Sequence, residues 1–338
     1  MTGALHSLAQ KDLFIGTSSW KYPGWCGQLY DEQRYLHRGK FALSRFERDC
    51  LAEYAIAFRT VCLDAGYYRF PSPDYIGGLC AQVPDGFKFG IKVTDEITTR
   101  TFPNLPRHGA KAGQRNPHFL DADLFNSAFL ASCAPHRDKV GLLIFEFSHL
   151  HPRDFERGRD FVTALDQFLG LLPPGWQYGV EIRNRGLLQP EYFAMLRQHG
   201  VAHVYNNWTR MPSVAEQITL PGSLTSDEFT AARFLLKPGR TYEQAVEAFS
   251  PYDRTHEINT EARTAAADLA RMRLKAREER STRPSFIFIN NRLEGNALLT
   301  IMGILQNLGL LGEFLPGVPP AASLFETSDD VRGMGGLE

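Results

Sequence analysis

The feature of this chain that most restricts its fold is an alternation. Eight apolar, β-branched or aromatic runs recur along its 338 residues, each followed by turn residues and then by a stretch of helical period. The runs are LFIGTS at 13–18, AFRTVCL at 57–63, FKFGIKV at 87–93, VGLLIFEF at 140–147, QYGVEIR at 177–183, VAHVYN at 201–206, ARFLL at 232–236 and SFIFIN at 285–290. Helical stretches lie at 40–54, 72–82, 121–133, 156–171, 189–199, 257–280 and 296–308. Runs such as VGLLIFEF and SFIFIN are apolar at nearly every position, as parallel strands are when helices cover both faces. Eight alternations favour a closed barrel over an open sheet, and no strand is followed by the GxGxxG fingerprint of a dinucleotide-binding sheet. The expected fold is therefore α/β, a single (β/α)8 TIM-like barrel. Barrels of roughly 250 residues and more fold as one unit, so length does not demand a second domain. The barrel domain is expected at 12–311, with a Pro/Gly-rich tail at 312–338 that carries GVPP and GMGG.

Charge narrows the partners. Lys and Arg number 37 against 38 Asp and Glu, a net −1, whereas affinity for duplex nucleic acid rests on many clustered cations. One local exception exists: residues 263–283 carry seven Lys/Arg and three Asp/Glu. No aromatic residue interleaves them, so the segment reads first as a solvated outer helix. A non-catalytic, nucleic-acid-associated binding role through the helix 257–280 is the alternative. No apolar run approaches the roughly 18 residues of a membrane span. The N-terminus MTGALHSLAQKDLF has no basic segment followed by an apolar one, and the five cysteines form no CxxC pair. A cytoplasmic protein without a membrane partner is expected; oligomeric state and cofactor are left open.

In such a barrel, the side chains that reach a ligand come from the carboxyl ends of the strands and the loops after them. Those positions hold Thr17, Ser18 and Trp20; Asp64, Tyr67 and Tyr68; Lys92; Glu146; Glu181, Arg183 and Asn184; Asn206 and Trp208; Lys237 and Arg240; and Asn290, Asn291 and Arg292. The set is rich in Asn, Arg and aromatic residues and poor in His and Cys. It suits a polyhydroxylated or anionic ligand, since aromatic faces stack on rings and amides both donate and accept hydrogen bonds.

Glu181 and Arg183 are two apart in VEIRNR and share one strand face. They read equally as an acid/base or orienting pair and as a buried ion pair that closes the barrel interior. Glu146 on the neighbouring strand could complete a two-carboxylate glycosidase site. The segment INNRLEGN at 289–296 ends a strand and opens a helix whose N-terminus could hold an anion, and Lys237, Arg240 and Arg292 lie on loops where barrels often bind phosphate. His149 and His151 lack a carboxylate-rich companion motif, so no metal site is expected.

With these residues assembled, the chain resembles the DUF72 (YecE-like) family over about residues 12–310. The resemblance rests on IGTSSWKYPGWCGQLY at 15–30, YYRFPS at 67–72, FKFGIKVTDEIT at 87–98, VEIRN at 180–184 and FIFINNRLEGN at 286–296. It implies a TIM barrel and brings no established reaction. Trp20, Tyr68, Lys92, Glu181, Arg183 and Asn291 match the family pattern. Cys62 and Asp64 stand where the family has Glu and Asn, Thr99 where it has His, and LLKPGR at 235–240 lies near its Arg-Leu-His-Gly. No acid/base role transfers from those altered positions. The expected activity is an enzyme acting on a small sugar-like or phosphorylated substrate at the carboxyl rim. Glu181 is the candidate acid/base, with Arg183 and Lys92 stabilising negative charge. Trp20, Tyr68, Asn206, Asn290, Asn291, Arg292 and Lys237 are the candidate substrate-binding residues.

Overall fold

Eight parallel strands close on themselves: β1 Leu13–Thr17, β2 Thr60–Leu63, β3 Lys88–Lys92, β4 Val140–Phe147, β5 Tyr178–Ile182, β6 Ala202–Asn206, β7 Ala231–Phe234 and β8 Ser285–Ile289. Each strand pairs with its sequence neighbours, and β8 pairs with β1 from Leu13↔Ser285 to Thr17↔Ile289. The chain thus forms the single (β/α)8 TIM-like barrel. This computed structural model describes residues 1–280 and 282–312; the expected tail, beyond residue 312, lies outside the described residues.

All eight runs contain a strand, with shifted edges. The largest shift is at 57–63, where Ala57 ends the helix Leu43–Ala57 and the Phe58 amide still donates to the Tyr54 carbonyl, so the strand starts at Thr60. The stretch 121–133 is helical but contains a π segment, Phe125–Leu130, between two single α-turns. Among the described residues five α-helices lie outside the expected stretches: Thr2–Gln10, Ala65–Tyr68, Asp95–Thr98, Val214–Thr219 and Tyr242–Phe249. Among the described residues no helix is long and apolar enough to cross a membrane.

The period of two along each strand divides the apolar residues into two shells. Phe14, Cys62, Leu142, Ile144, Ala202, Val204, Ala231, Phe286 and Phe288 fill the barrel interior, and Ala9 of the first helix packs against them. Glycine makes room for the large rings: a Cβ on Gly90 would lie 2.6 Å from the Phe288 ring, and one on Gly141 2.4 Å from that of Phe286. Alternate residues face outward to the helices. The helix Gly158–Gly170, at whose start the Asp160 carboxylate accepts from the Arg157 amide and guanidinium, buries Phe161, Leu165 and Phe168. Phe145 and Phe147 of β4 meet Phe168 and Phe161 edge-on at 5.2 and 5.1 Å. Each fully buried Phe contributes about 1.5–3 kcal/mol.

The loop after β1 makes a small core of its own. Trp25 packs on Tyr22 and Tyr30 at 4.9 and 6.2 Å, and Tyr30 meets Phe46 edge-on at 5.1 Å. These rings build the rim.

Candidate functional site at the mouth of the barrel

Four strands change character as they reach their carboxyl ends. On the inward face, Gly90 is followed by Lys92, Ile144 by Glu146, Gly179 by Glu181 and then Arg183, and Ala231 by Arg233. Asp64 follows Cys62 just beyond β2. A charged layer therefore sits directly on an apolar one, so every ion in it must find a partner.

They do. Glu146, only 2% exposed, holds Lys92 Nζ, Arg183 Nη2 and Arg233 Nη1, all at 2.8 Å and all on Oε2. Glu181, fully buried, binds Arg233 Nη1 at 2.6 Å through Oε2 and Arg183 Nη2 at 3.2 Å through Oε1. Asp64 Oδ1 lies 3.4 Å from Lys92 and 3.5 Å from Arg233. Three cations and three carboxylates form one cluster. Burial disfavours the charge on Glu146, but Arg183, Lys92 and Arg233 outweigh it and hold its carboxyl well below the usual carboxylate range. Burial likewise opposes the charge on Lys92, and Asp64 and Glu146 overcome it and push the ammonium above the usual lysine range. Both groups are ionised at neutral pH.

Aromatic faces hold the long cations. Lys92 Nζ lies 4.0 Å above the Tyr67 ring, and the Arg183 guanidinium 3.8 Å from that of Trp208. Tyr67 and Tyr68 come from the short helix Ala65–Tyr68 after β2. Above the charged layer opens a cleft of about 490 Å³, within the range of small-molecule sites. Its lining includes Lys92, Arg107, Arg183, Arg233 and Arg292 against only two carboxylates, Asp64 and Glu146. Tyr68, Trp208, Tyr242 and Asn290 add rings and an amide. Arg292 stacks at 4.2 Å on Tyr242 and donates to its hydroxyl at 2.9 Å.

Of the residues proposed from the sequence, Lys92, Arg183, Tyr68, Asn290 and Arg292 line this cleft. Glu181 lies behind the lining, with both carboxylate oxygens held by guanidinium groups. Asn206 is wholly buried, donating to the Ile182 carbonyl at 3.1 Å and accepting from the Trp208 amide at 3.2 Å. Asn291 accepts from the Ala297 amide at 2.7 Å, and Asn296 caps the same helix at Leu299, so side chains take two of the amides that an anion would need. Trp20 is buried in the rim, and its carbonyl accepts from the Tyr30 hydroxyl. Lys237 lies 3.7 Å and Arg240 2.7 Å from Glu257 on the outside, leaving Arg292 as the cleft-facing member of the expected phosphate trio. For a glycosidase pair, a sugar would have to lie between Glu146 and Glu181; nitrogens of Arg183 and Arg233 already bridge that space.

Arg233 was missed, although an arginine inside the apolar run ARFLL is itself a signal: a buried charge requires a buried partner. Cys62 lies below it in the interior; burial pushes its thiol up to about 12, so this position adds no charge to the cluster. In the basic helix, observed at Thr260–Glu279, Arg263 pairs with buried Glu294 at 2.6 Å, Arg271 with Asp268 at 2.7 Å, and Arg277 with Asp12. Arg273 is buried and donates to the carbonyls of Asp227 and Glu228.

Similarity to known proteins bears on the fold and the family. Over 89% of the chain, the structure superposes on 97% of a DUF72 family protein from Enterococcus faecalis, with a TM-score of 0.58 at 17% identity. A DUF72 family protein from Thermotoga maritima gives 0.57 at 20% identity over 88% of this chain and 99% of that one. No protein of curated function matches the chain. The family described as "Protein of unknown function DUF72" matches residues 14–323, and the chain belongs to that family.

Proposed function

We propose that the protein is an enzyme acting on a small, hydroxyl-bearing substrate that carries a phosphate or another anionic group, bound in the mouth cleft. The observation that carries this reading is the cations left over once Lys92, Arg183 and Arg233 are balanced by Asp64, Glu146 and Glu181: Arg292 has no carboxylate partner among the described residues, and Arg107 meets Asp95 only at 3.4 Å. Arg107 and Arg292, toward solvent, are suited to hold the anionic group, and Tyr68, Trp208 and Tyr242 offer faces for the ring. Lys92 and Arg183 lie where negative charge developing on a substrate oxygen would be stabilised. Glu146 is the glutamate that reaches the cleft. Glu181 is a positioning residue, since it fixes the guanidinium groups that touch Glu146.

Three cations keep Glu146 ionised and weakly basic at rest. A substrate anion that draws Lys92 or Arg183 toward itself removes part of that stabilisation, and Glu146 becomes a stronger base as the substrate arrives. Proton transfer is thereby coupled to anion binding.

The test compares ribose 5-phosphate and glucose 6-phosphate with the free sugars by calorimetry, and follows turnover of a sugar-phosphate panel by NMR. The phosphorylated forms should bind more tightly, Arg292→Ala should weaken them about tenfold or more, as loss of a charged hydrogen bond implies, and Glu146→Gln should abolish turnover while still unfolding cooperatively. Equal binding of free and phosphorylated sugars, or undiminished turnover in Glu146→Gln, would overturn the reading.

A further inference from the structure

A second cleft, of about 530 Å³, opens between the loops that follow β4 and β5. Arg183 lines this cleft as well as the mouth cleft, so the two share one guanidinium as a common wall. That guanidinium is fixed by Glu146 at 2.8 Å and by the Trp208 ring at 3.8 Å. The loops are also fixed to each other, because Asn184 accepts from the Leu150 amide at 2.8 Å and donates to the Leu150 carbonyl at 2.9 Å. The cavity does not have to be assembled by its ligand.

The lining is again cationic. Arg185 and Arg210 enter from the loops after β5 and β6, and neither guanidinium has an ion pair or a hydrogen bond among the described residues. His149 and His151 stand beside them with ring centroids 5.4 Å apart, and Glu156 is the one carboxylate of the lining. The contrast with the basic helix is informative. There, Arg263, Arg271 and Arg277 have carboxylate partners and Arg273 has carbonyls, whereas these two exposed arginines line one concave surface with no side-chain partner among the described residues.

We propose that this cleft is a second anion subsite and that the ligand class is an organic ester with two phosphate-like groups, one in the mouth cleft and a second held by Arg185 and Arg210, with Arg183 between them. The proposal rests on the reading of the mouth cleft as an anion site and adds to it the number and placement of the charged groups. Two sites joined by one ligand bind it more tightly than either alone, by a factor set by the effective concentration of the second group, provided that the spacer can span them.

Calorimetry with ethyl phosphate and with a series of straight-chain diol bisphosphates, from propane-1,3-diol to octane-1,8-diol, tests both levels. At least one spacer length should bind tenfold or more tightly than ethyl phosphate. The Arg185→Ala/Arg210→Ala variant should lose that gain and keep the ethyl phosphate affinity. If ethyl phosphate binds but no bisphosphate exceeds it by more than the statistical factor of about two, or if the double variant retains the gain, the second subsite is refuted and the mouth reading stands. If ethyl phosphate does not bind at all, the mouth reading fails and the second subsite fails with it. A single-stranded oligonucleotide that outcompetes every bisphosphate would also overturn the proposal, by making the ligand a polymer.

Discussion

Replacing Arg233 by methionine removes one charge from the barrel mouth and keeps most of the side-chain volume. Arg233 is 2% exposed and lies 2.8 Å from Glu146, 2.6 Å from Glu181 and 3.5 Å from Asp64. At an effective dielectric of about 20, each of the two shorter contacts carries about 6 kcal/mol of gross attraction. Much of that offsets the desolvation of the ions, and removing one partner from a buried ion pair costs about 3–5 kcal/mol; here three carboxylates would be left with two cations, Lys92 and Arg183. Arg233→Met should therefore lower the unfolding free energy from urea titration by about 3–5 kcal/mol. Adding Glu181→Gln removes the stranded charge, so the double variant should recover a large part of the loss. A loss below about 1 kcal/mol, the size of a surface pair, would refute the reasoning. So would a double variant no more stable than the single one.

Other consequences can be checked in the same protein. The Glu146 carboxyl lies below its ordinary range in the folded state, so its contribution to stability is fully present above the unfolded carboxylate pKa and is lost as pH falls through the folded value. Urea unfolding from about pH 5, just above the unfolded carboxylate pKa values, down to about pH 2 should show a shallower loss of stability for Glu146→Gln than for wild type; equal slopes would contradict the ion cluster. Gly90→Ala places a Cβ 2.6 Å from the Phe288 ring and should cost about 1–3 kcal/mol by overpacking. Phe288→Leu in the same chain should relieve that strain, and additive losses in the double variant would contradict the contact. Four of the five cysteines are buried, and burial pushes the half-buried Cys26 up to about 11. Ellman's reagent should label at most Cys26 slowly in native protein at pH 7 and all five thiols after unfolding; rapid labelling of two or more native thiols would show that the core is open.

Fold and site differ in how far the sequence discloses them, and the reason is physical. An apolar run such as VGLLIFEF carries its strand assignment within eight residues, because burial on both faces leaves Glu146, at the mouth, as its single polar side chain. The helix Thr2–Gln10 has only a weak signature in the sequence, because its seal on the barrel rests on few buried side chains, Leu5 and Leu8 among them. Glu181 and Arg183 were found through their spacing along one strand, which fixes a shared face. That Glu146 reaches the cleft while Glu181 lies behind it depends on barrel curvature and on where Arg233 enters from across the interior, relations between residues 52 and 87 positions apart. Trp20 and Asn291 match the family's motifs, yet one is packed into the rim and the other accepts from a helix amide. A motif position marks a place in the fold before it marks a contact with ligand.

The central claim is that the mouth of this barrel binds an anion, and a heavy oxyanion shows its position directly. Crystals soaked in tungstate, a phosphate mimic with strong anomalous scattering, should show a peak within hydrogen-bonding distance of at least two of Lys92, Arg183 and Arg292. A map in which tungstate occupies other surfaces while the mouth cleft holds no anion would contradict the account.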